Sequence, residues 1–171
     1  MTRSDIDARY TFRTIRPDEA EAANAIEQIC FPPNEACSRA HMLARIAAAS
    51  DAFWVAVDRE TGRLAGFING IATDETAFRD EFFTDERLHD PDGRAPMILG
   101  LDVLPEHRLR GLGRALMEGF AARERGKGRR LLVLTCLDRL VPMYERMGFT
   151  DRGLSASTWG GEAWHEMERM L

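Results

Sequence analysis

With 171 residues, 44% apolar and 30% charged side chains, the chain can bury one sizeable core and has the balance of an ordinary soluble globular domain. The lack of any run of about 18 apolar residues excludes a transmembrane helix, and the polar start MTRSDIDARY has no apolar core for a secretory leader. A net charge of −5 argues against a general nucleic-acid binder, and three scattered cysteines, Cys30, Cys37 and Cys136, suit a reducing cytoplasm better than a disulfide scaffold or a metal site.

Residues 1–9 read as a polar, frayed N-terminal tail, and residues 10–171 as the domain. Tyr10–Ile15 alternates apolar and polar residues, the pattern of an edge-type strand. Pro17, Asp18 and Glu19 open a helix whose apolar positions Ala22, Ala25, Ile26, Ile29 and Cys30 form its expected core face. Phe31-Pro32-Pro33 ends it, because a proline disfavours helix in the residue before it. Ser38 caps a second helix with Met42, Leu43 and Ile46 inward. Phe53–Val57 and Leu64–Ala72 make a hairpin around Asp58–Gly62, with Gly66 a candidate bulge. Residues 74–92 carry eight acids against two arginines, with Phe78, Phe82, Phe83 and Leu88 among them. That mixture predicts a docked short helix or lid. Leu131–Leu134 is a buried strand, Leu140–Met147 a short helix capped by Gly148, and two last strands flank Gly160-Gly161.

The densest information lies in Met97–Phe120. Met97–Val103 is almost wholly apolar, as a strand covered on both faces is, and Pro105 ends it. Gly111 and Gly113 let the backbone approach a ligand. Leu112, Ala115, Leu116, Gly119 and Phe120 then mark one face of a helix. The amides that begin this helix lie at the positive end of its dipole, and Arg108, Arg110 and Arg114 add charge, so the turn suits a diphosphate. Residues 105–130 hold eight bases against three acids. Set against the acidic 74–92 segment, this asymmetry predicts an anionic ligand at the basic end and a cationic one at the acidic end. Arg108 stands where a Rossmann fingerprint has its first glycine, and no lysine of a P-loop follows.

Strand, Arg108-x-x-Gly111-x-Gly113 and helix together resemble the acetyl-CoA loop of the GNAT-type N-acetyltransferases. Leu134-Thr135-Cys136 followed by Val141-Pro142-x-Tyr144 and Gly148-Phe149 is similar to the second half of that fold, and in look to its arylalkylamine (serotonin) branch. The resemblance implies a single α/β domain: a mixed central sheet of six or seven strands, helices on both faces and a V-shaped split between two parallel strands. It implies an acetyl-CoA-dependent N-acetyltransferase, with acetyl-CoA as co-substrate and no metal. The implied cofactor contacts are Leu101, Asp102 and Val103 on the strand, and Arg108, Leu109, Arg110, Gly111, Leu112, Gly113 and Arg114 in the turn. Tyr144 is the implied general acid: a phenol with pKa near 10 stays protonated, and a thiolate with pKa near 8.5 can accept its proton. Phe31, Pro32, Met97 and Leu99 are the implied acceptor contacts, with residues 74–92 and Trp164 as further walls. The acceptor would be a small arylalkylamine or a polyamine-like primary amine, attacking the thioester directly with no covalent role for Cys136. The alternatives are a peptide or protein amine acetyltransferase and a non-catalytic acyl-CoA-binding module. A cytoplasmic monomer or homodimer with no membrane or nucleic-acid partner is expected.

One departure bears on mechanism. Met97 and Leu99 fill the positions where the arylalkylamine branch carries two histidines, and neither can take a proton. An alkylammonium with pKa near 10.4 leaves about one molecule in a thousand neutral at pH ~7.4, a cost of roughly 4 kcal/mol if no group helps. Glu35 and Asp102 are the candidate carboxylates. Strict period-2 alternation sets Asp102 on the face opposite 97, 99, 101 and 103, which favours a structural or supporting role for it.

Overall fold

Seven extended runs pair into one sheet in the computed structural model, which describes residues 1–171. They are β1 (Tyr10–Thr14), β2 (Phe53–Asp58), β3 (Leu64–Thr73), β4 (Ala95–Val103), β5 (Leu131–Cys136), β6 (Thr150–Leu154) and β7 (His165–Met170). Their order across the sheet is β1-β2-β3-β4-β5-β7-β6. Every neighbouring pair is antiparallel except β4 and β5. Those two run parallel because the chain crosses between them through a helix, as parallel strands require. Their pairing consists of Met97 with Val133 and Ile98 with Leu134; beyond these the strands part and leave a V-shaped split.

The helices are α1 (Arg3–Arg9), α2 (Ala20–Cys30), α3 (Arg39–Ala49), α4 (Glu81–Thr84), α5 (Leu112–Gly126) and α6 (Val141–Glu145). Ile6, Leu116, Phe120, Tyr144 and Phe149 bring α1, α5 and α6 onto one face of the sheet with Ile68, Ile98 and Leu134. Ala23, Ile26, Met42 and Ile46 bring α2 and α3 onto the other face with Phe53, Val55 and Phe67. Phe78 and Phe82 continue that second layer over Ile71, Met97 and Val133.

Three expectations change here. Residues 3–9 do not fray: Thr2 and Asp5 form a reciprocal capping box, and Ile6 is 3% exposed against the α5 layer. The buried face of α2 is Ala23, Ile26 and Glu27, while Ile29 lies 58% exposed. Most consequential is a bulge in β4. Asn69 opposes Gly100 but Gly70 opposes Ile98, so Leu99 is an extra residue. The bulge resets the alternation. Ile98, Leu101 and Val103 pack with the α5 layer, whereas Met97 and Leu99 belong to the opposite layer. Gly100 and Asp102 therefore face α2 and α3, and the reading that put 97, 99, 101 and 103 on one face fails.

Candidate active site

The split opens into a cavity of about 440 Å³, within the ordinary range for a small-ligand site. One wall is β4 from Ile98 to Leu101 with Val103, and the opposite wall is Leu134–Leu137 with Leu140, Met143 and Tyr144. Phe31, Pro32, Phe83, Trp159 and Trp164 close one end, with Glu27 and Glu35 the two carboxylates on the lining; Arg108, Leu109, Gly111, Leu112 and Gly113 form the other end.

The glycine-bearing end is made of main chain. Pro105–His107 forms a single 3-10 turn after β4. Leu109 then takes φ 59° and Gly111 φ 88°, both left-handed, and Leu109 projects into solvent. Gly111 occupies the N-cap of α5 and offers no capping side chain. None of the six amides from Leu109 to Arg114 donates to a backbone carbonyl; the first to do so is Ala115, to Gly111 at 3.0 Å. These are the orphan donors of a helix start, aligned with its dipole. Arg108 does not float beside them: its Nε donates to the Val103 carbonyl at 2.8 Å, a carbonyl that also accepts from Cys30 Sγ at 3.4 Å. The Leu104 amide donates across to Ala65 at 3.0 Å. The main-chain groups of Val103 and, two residues back, Leu101 therefore point the other way, into the split.

Arg110 and Arg114 are exposed beside the turn, outside the cavity wall. The remaining bases of 105–130 do not gather there. Arg123 donates to Thr14 and lies over Trp54, and Arg129 is buried against Glu124. Fifteen residues of helix carry them about 22 Å along the axis. Four of the eight acids of 74–92 are likewise spent on arginines, Asp74 on Arg94, Glu75 and Glu81 on Arg79, and Asp85 on Arg87. The segment is docked, not loose: Asp80 accepts from Ser157 and Thr158, Glu166 accepts from the Phe78 amide at 3.1 Å, and Phe83 stacks on Trp159 at 4.7 Å. Its contribution to the cavity is Phe83, an aromatic wall in place of the expected acidic one.

Tyr144 comes from the single turn after Pro142, on the β5 side of the cavity. Burial, and then the neighbouring Cys136 and Asp102, push its phenol well above the ordinary range, so it holds its proton. Burial also pushes the Cys30 thiol up to about 11 and Cys136 up to about 12, which leaves neither as a thiolate nucleophile. Leu99, Phe31 and Pro32 line the cavity as read from the sequence. Met97 does not: it is 0% exposed beneath Phe78 and Phe82. Asp102 is also absent from the wall, with its side chain turned to the α2 side.

Residues 20–149 match the model of the acetyltransferase (GNAT) family. The chain belongs to that family. Among curated relatives it is similar to serotonin N-acetyltransferase of Mesocricetus auratus, 34% identical over 113 residues, 66% of this chain and 53% of that one. The chain thus spans about half the length of that relative. Among solved structures it shares its fold with a GNAT-like decarboxylase, GphF, in complex with isobutyryl-CoA (TM-score 0.77, 23% identity, 94% of this chain and 98% of that one). It shares it also with a phosphinothricin acetyltransferase of Sinorhizobium meliloti in complex with acetyl-CoA (TM-score 0.68, 19% identity, 95% and 89%).

Sequence reasoning missed Glu27. It lies on α2 with Ala23, Ile26 and Cys30, the i, i+3, i+4, i+7 set of a helical face. A carboxylate inside such an apolar stripe is the signal that could have found it.

Proposed function

We propose that this protein is an acetyl-CoA-dependent N-acetyltransferase acting on a small primary amine of the arylalkylamine type. The observation that carries the reading is the run of unspent amides from Leu109 to Arg114 at the mouth of a split whose opposite wall holds Tyr144. These residues fit an acyl-CoA. The amides, with Arg108, Arg110 and Arg114, would hold the pyrophosphate. The inward-facing main chain of Leu101 and the amide of Val103 would take the pantetheine arm as an added strand. That GphF and the Sinorhizobium enzyme were solved with CoA thioesters supports the assignment.

In this reading the amine attacks the thioester carbonyl directly, its oxygen is met by a strand amide, and Tyr144 gives its proton to the departing sulfur. The raised phenol holds its proton until the thiolate departs. Phe31, Phe83, Trp159 and Trp164 favour an aromatic acceptor over a polyamine, and a cavity closed at that end favours a small amine over a peptide. The serotonin N-acetyltransferase relative supports the same class.

The test is release of free thiol from acetyl-CoA across a panel of primary amines, with coenzyme A binding followed by calorimetry. Arylalkylamines should turn over fastest, and Tyr144→Phe should lower kcat about 100-fold with coenzyme affinity unchanged. An unchanged rate in Tyr144→Phe removes the general-acid role; no binding heat removes the acyl-CoA assignment.

A further inference from the structure

Two buried polar groups lie outside the reaction as described. One sits beneath Gly100. Asp102 from β4 and Glu27 from α2 are buried there with three of their carboxylate oxygens unpartnered, beside Asn69 from β3, whose oxygen accepts from Arg45 Nη1 of α3 at 2.9 Å. Arg45 also donates to the Phe83 carbonyl at 3.0 Å. A side-chain atom at Gly100 would come within 2.9 Å of Asp102 Oδ2, so this cluster is the floor of the cavity already described. The other group lies against the glycine-bearing turn.

That second group is built on His107, the last residue of the 3-10 turn after β4 and itself part of the cavity lining. His107 Nδ1 is hydrogen-bonded to the Tyr10 hydroxyl at 2.8 Å, and the two rings meet edge to face with centroids 5.6 Å apart. Its Nε2 stands 4.0 Å from Asp58 Oδ2. Asp58 accepts in turn from Arg9 Nη2 at 3.2 Å and from the Glu60 amide at 3.0 Å. Tyr10 begins β1, Asp58 ends β2, and the two are a register pair. Tyr10, Asp58 and His107 are all buried. Groups of this kind are costly to bury unless they are bonded, and the chain keeps them beside the turn whose amides carry the functional reading.

From Pro105 to Gly111, His107 is the only buried residue. Residues 108–111 are exposed, and Leu112 is buried again. Between these two points Leu109 holds φ 59°, a left-handed backbone that a leucine disfavours. Its side chain projects into solvent and does not hold it there. Such a conformation persists when its flanks fix it. One flank is Leu112, packed in the α5 layer; the other is His107, gripped by Tyr10. Arg108, bonded to the Val103 carbonyl, lies between them.

We propose that His107 is a positioning residue for the acyl donor. Held by Tyr10 and facing Asp58, it fixes the 108–111 turn in the shape that aims its amides at the diphosphate of coenzyme A. The proposal rests on the N-acetyltransferase reading above. His107 takes no part in the acyl transfer itself. A turn that is set before binding spares the complex the cost of ordering it, so the gain is in affinity for the donor and not in the chemical step.

Kinetics with two donors test this: acetyl-CoA, and acetylpantetheine, which has the same thioester and arm but no diphosphate. His107→Leu should raise KM for acetyl-CoA at least about 10-fold, with kcat at saturation held within about 2-fold. Tyr10→Phe removes only the hydroxyl and should raise that KM about 3- to 10-fold. His107→Asn keeps a polar atom close to the reach of Nδ1 and should recover most of the loss. For acetylpantetheine, kcat/KM should stay within about 2-fold of wild type in all three variants. A wild-type KM for acetyl-CoA in Tyr10→Phe overturns the proposal. So does an equal fall for both donors, which is what a general loosening of the fold would give. Should His107→Leu fail to fold, Tyr10→Phe decides alone. A wild-type enzyme that uses the two donors equally well sinks the diphosphate reading of the turn instead.

Discussion

At the mouth of α5 the cleft offers main-chain donors on a turn bathed by solvent, whereas beneath Gly100 it offers side-chain carboxyls that solvent does not reach. The first region is cheap to build. A helix start leaves its amides free in any sequence, and a glycine at φ 88° presents them. The second is expensive, since each buried oxygen without a partner weighs against folding. One end can therefore vary in its exposed side chains and still hold an anion; the other depends on the identity of four residues.

Removing the cluster's cation should give the largest effect. Arg45→Met leaves the buried Asn69 Oδ1 and the Phe83 carbonyl without their donor, and the urea midpoint should fall by the equivalent of about 2–4 kcal/mol. A drop below about 1 kcal/mol would mean that the cluster is wetter than its burial implies.

The next effect is a tilt with pH. Both carboxyls are raised in the folded state, so the folded chain keeps protons that the unfolded chain sheds. Their stabilisation is complete below the ordinary carboxylate pKa, near 4, and is lost as pH climbs toward the raised values. Asp102→Asn should flatten the fall of unfolding free energy with pH by up to about 1.4 kcal/mol per pH unit over that window. Parallel curves for the two proteins would contradict the raised carboxyl.

Gly111→Ala probes the turn. The left-handed backbone costs an alanine about 1–2 kcal/mol, so coenzyme A affinity should weaken roughly 5- to 30-fold with the pH profile of kcat unmoved. The smallest change is expected from Trp159→Ala, which removes the stack on Phe83. KM for an aromatic amine should rise by about 2- to 10-fold while KM for acetyl-CoA holds.

The same contrast explains how much of the molecule could be read in its residues. Arg108, Gly111 and Gly113 act through local backbone geometry, and local geometry is written in adjacent letters. The Ser38 cap was legible for the same reason, whereas Tyr144 was singled out only through the family resemblance. The buried cluster was not, because it joins α2, α3, β3 and β4, and one inserted residue at Leu99 decides which side of the sheet Asp102 faces. Charge runs misled for a related reason. Half of the acids of 74–92 pair with arginines and none of them lines the cavity, and a helix carries most of the bases away from the turn.

The parallel seam between β4 and β5 holds only two residue pairs, so the sheet is nearly two plates joined at a corner. A molecule lodged in the gap acts as mortar between them. By mass action it adds about 2.7 kcal/mol at a hundred times its dissociation constant. Amide exchange in β5, β6 and β7 should slow accordingly when the gap is filled, and the protein's resistance to proteolysis would then rise and fall with the supply of the molecule that fills it.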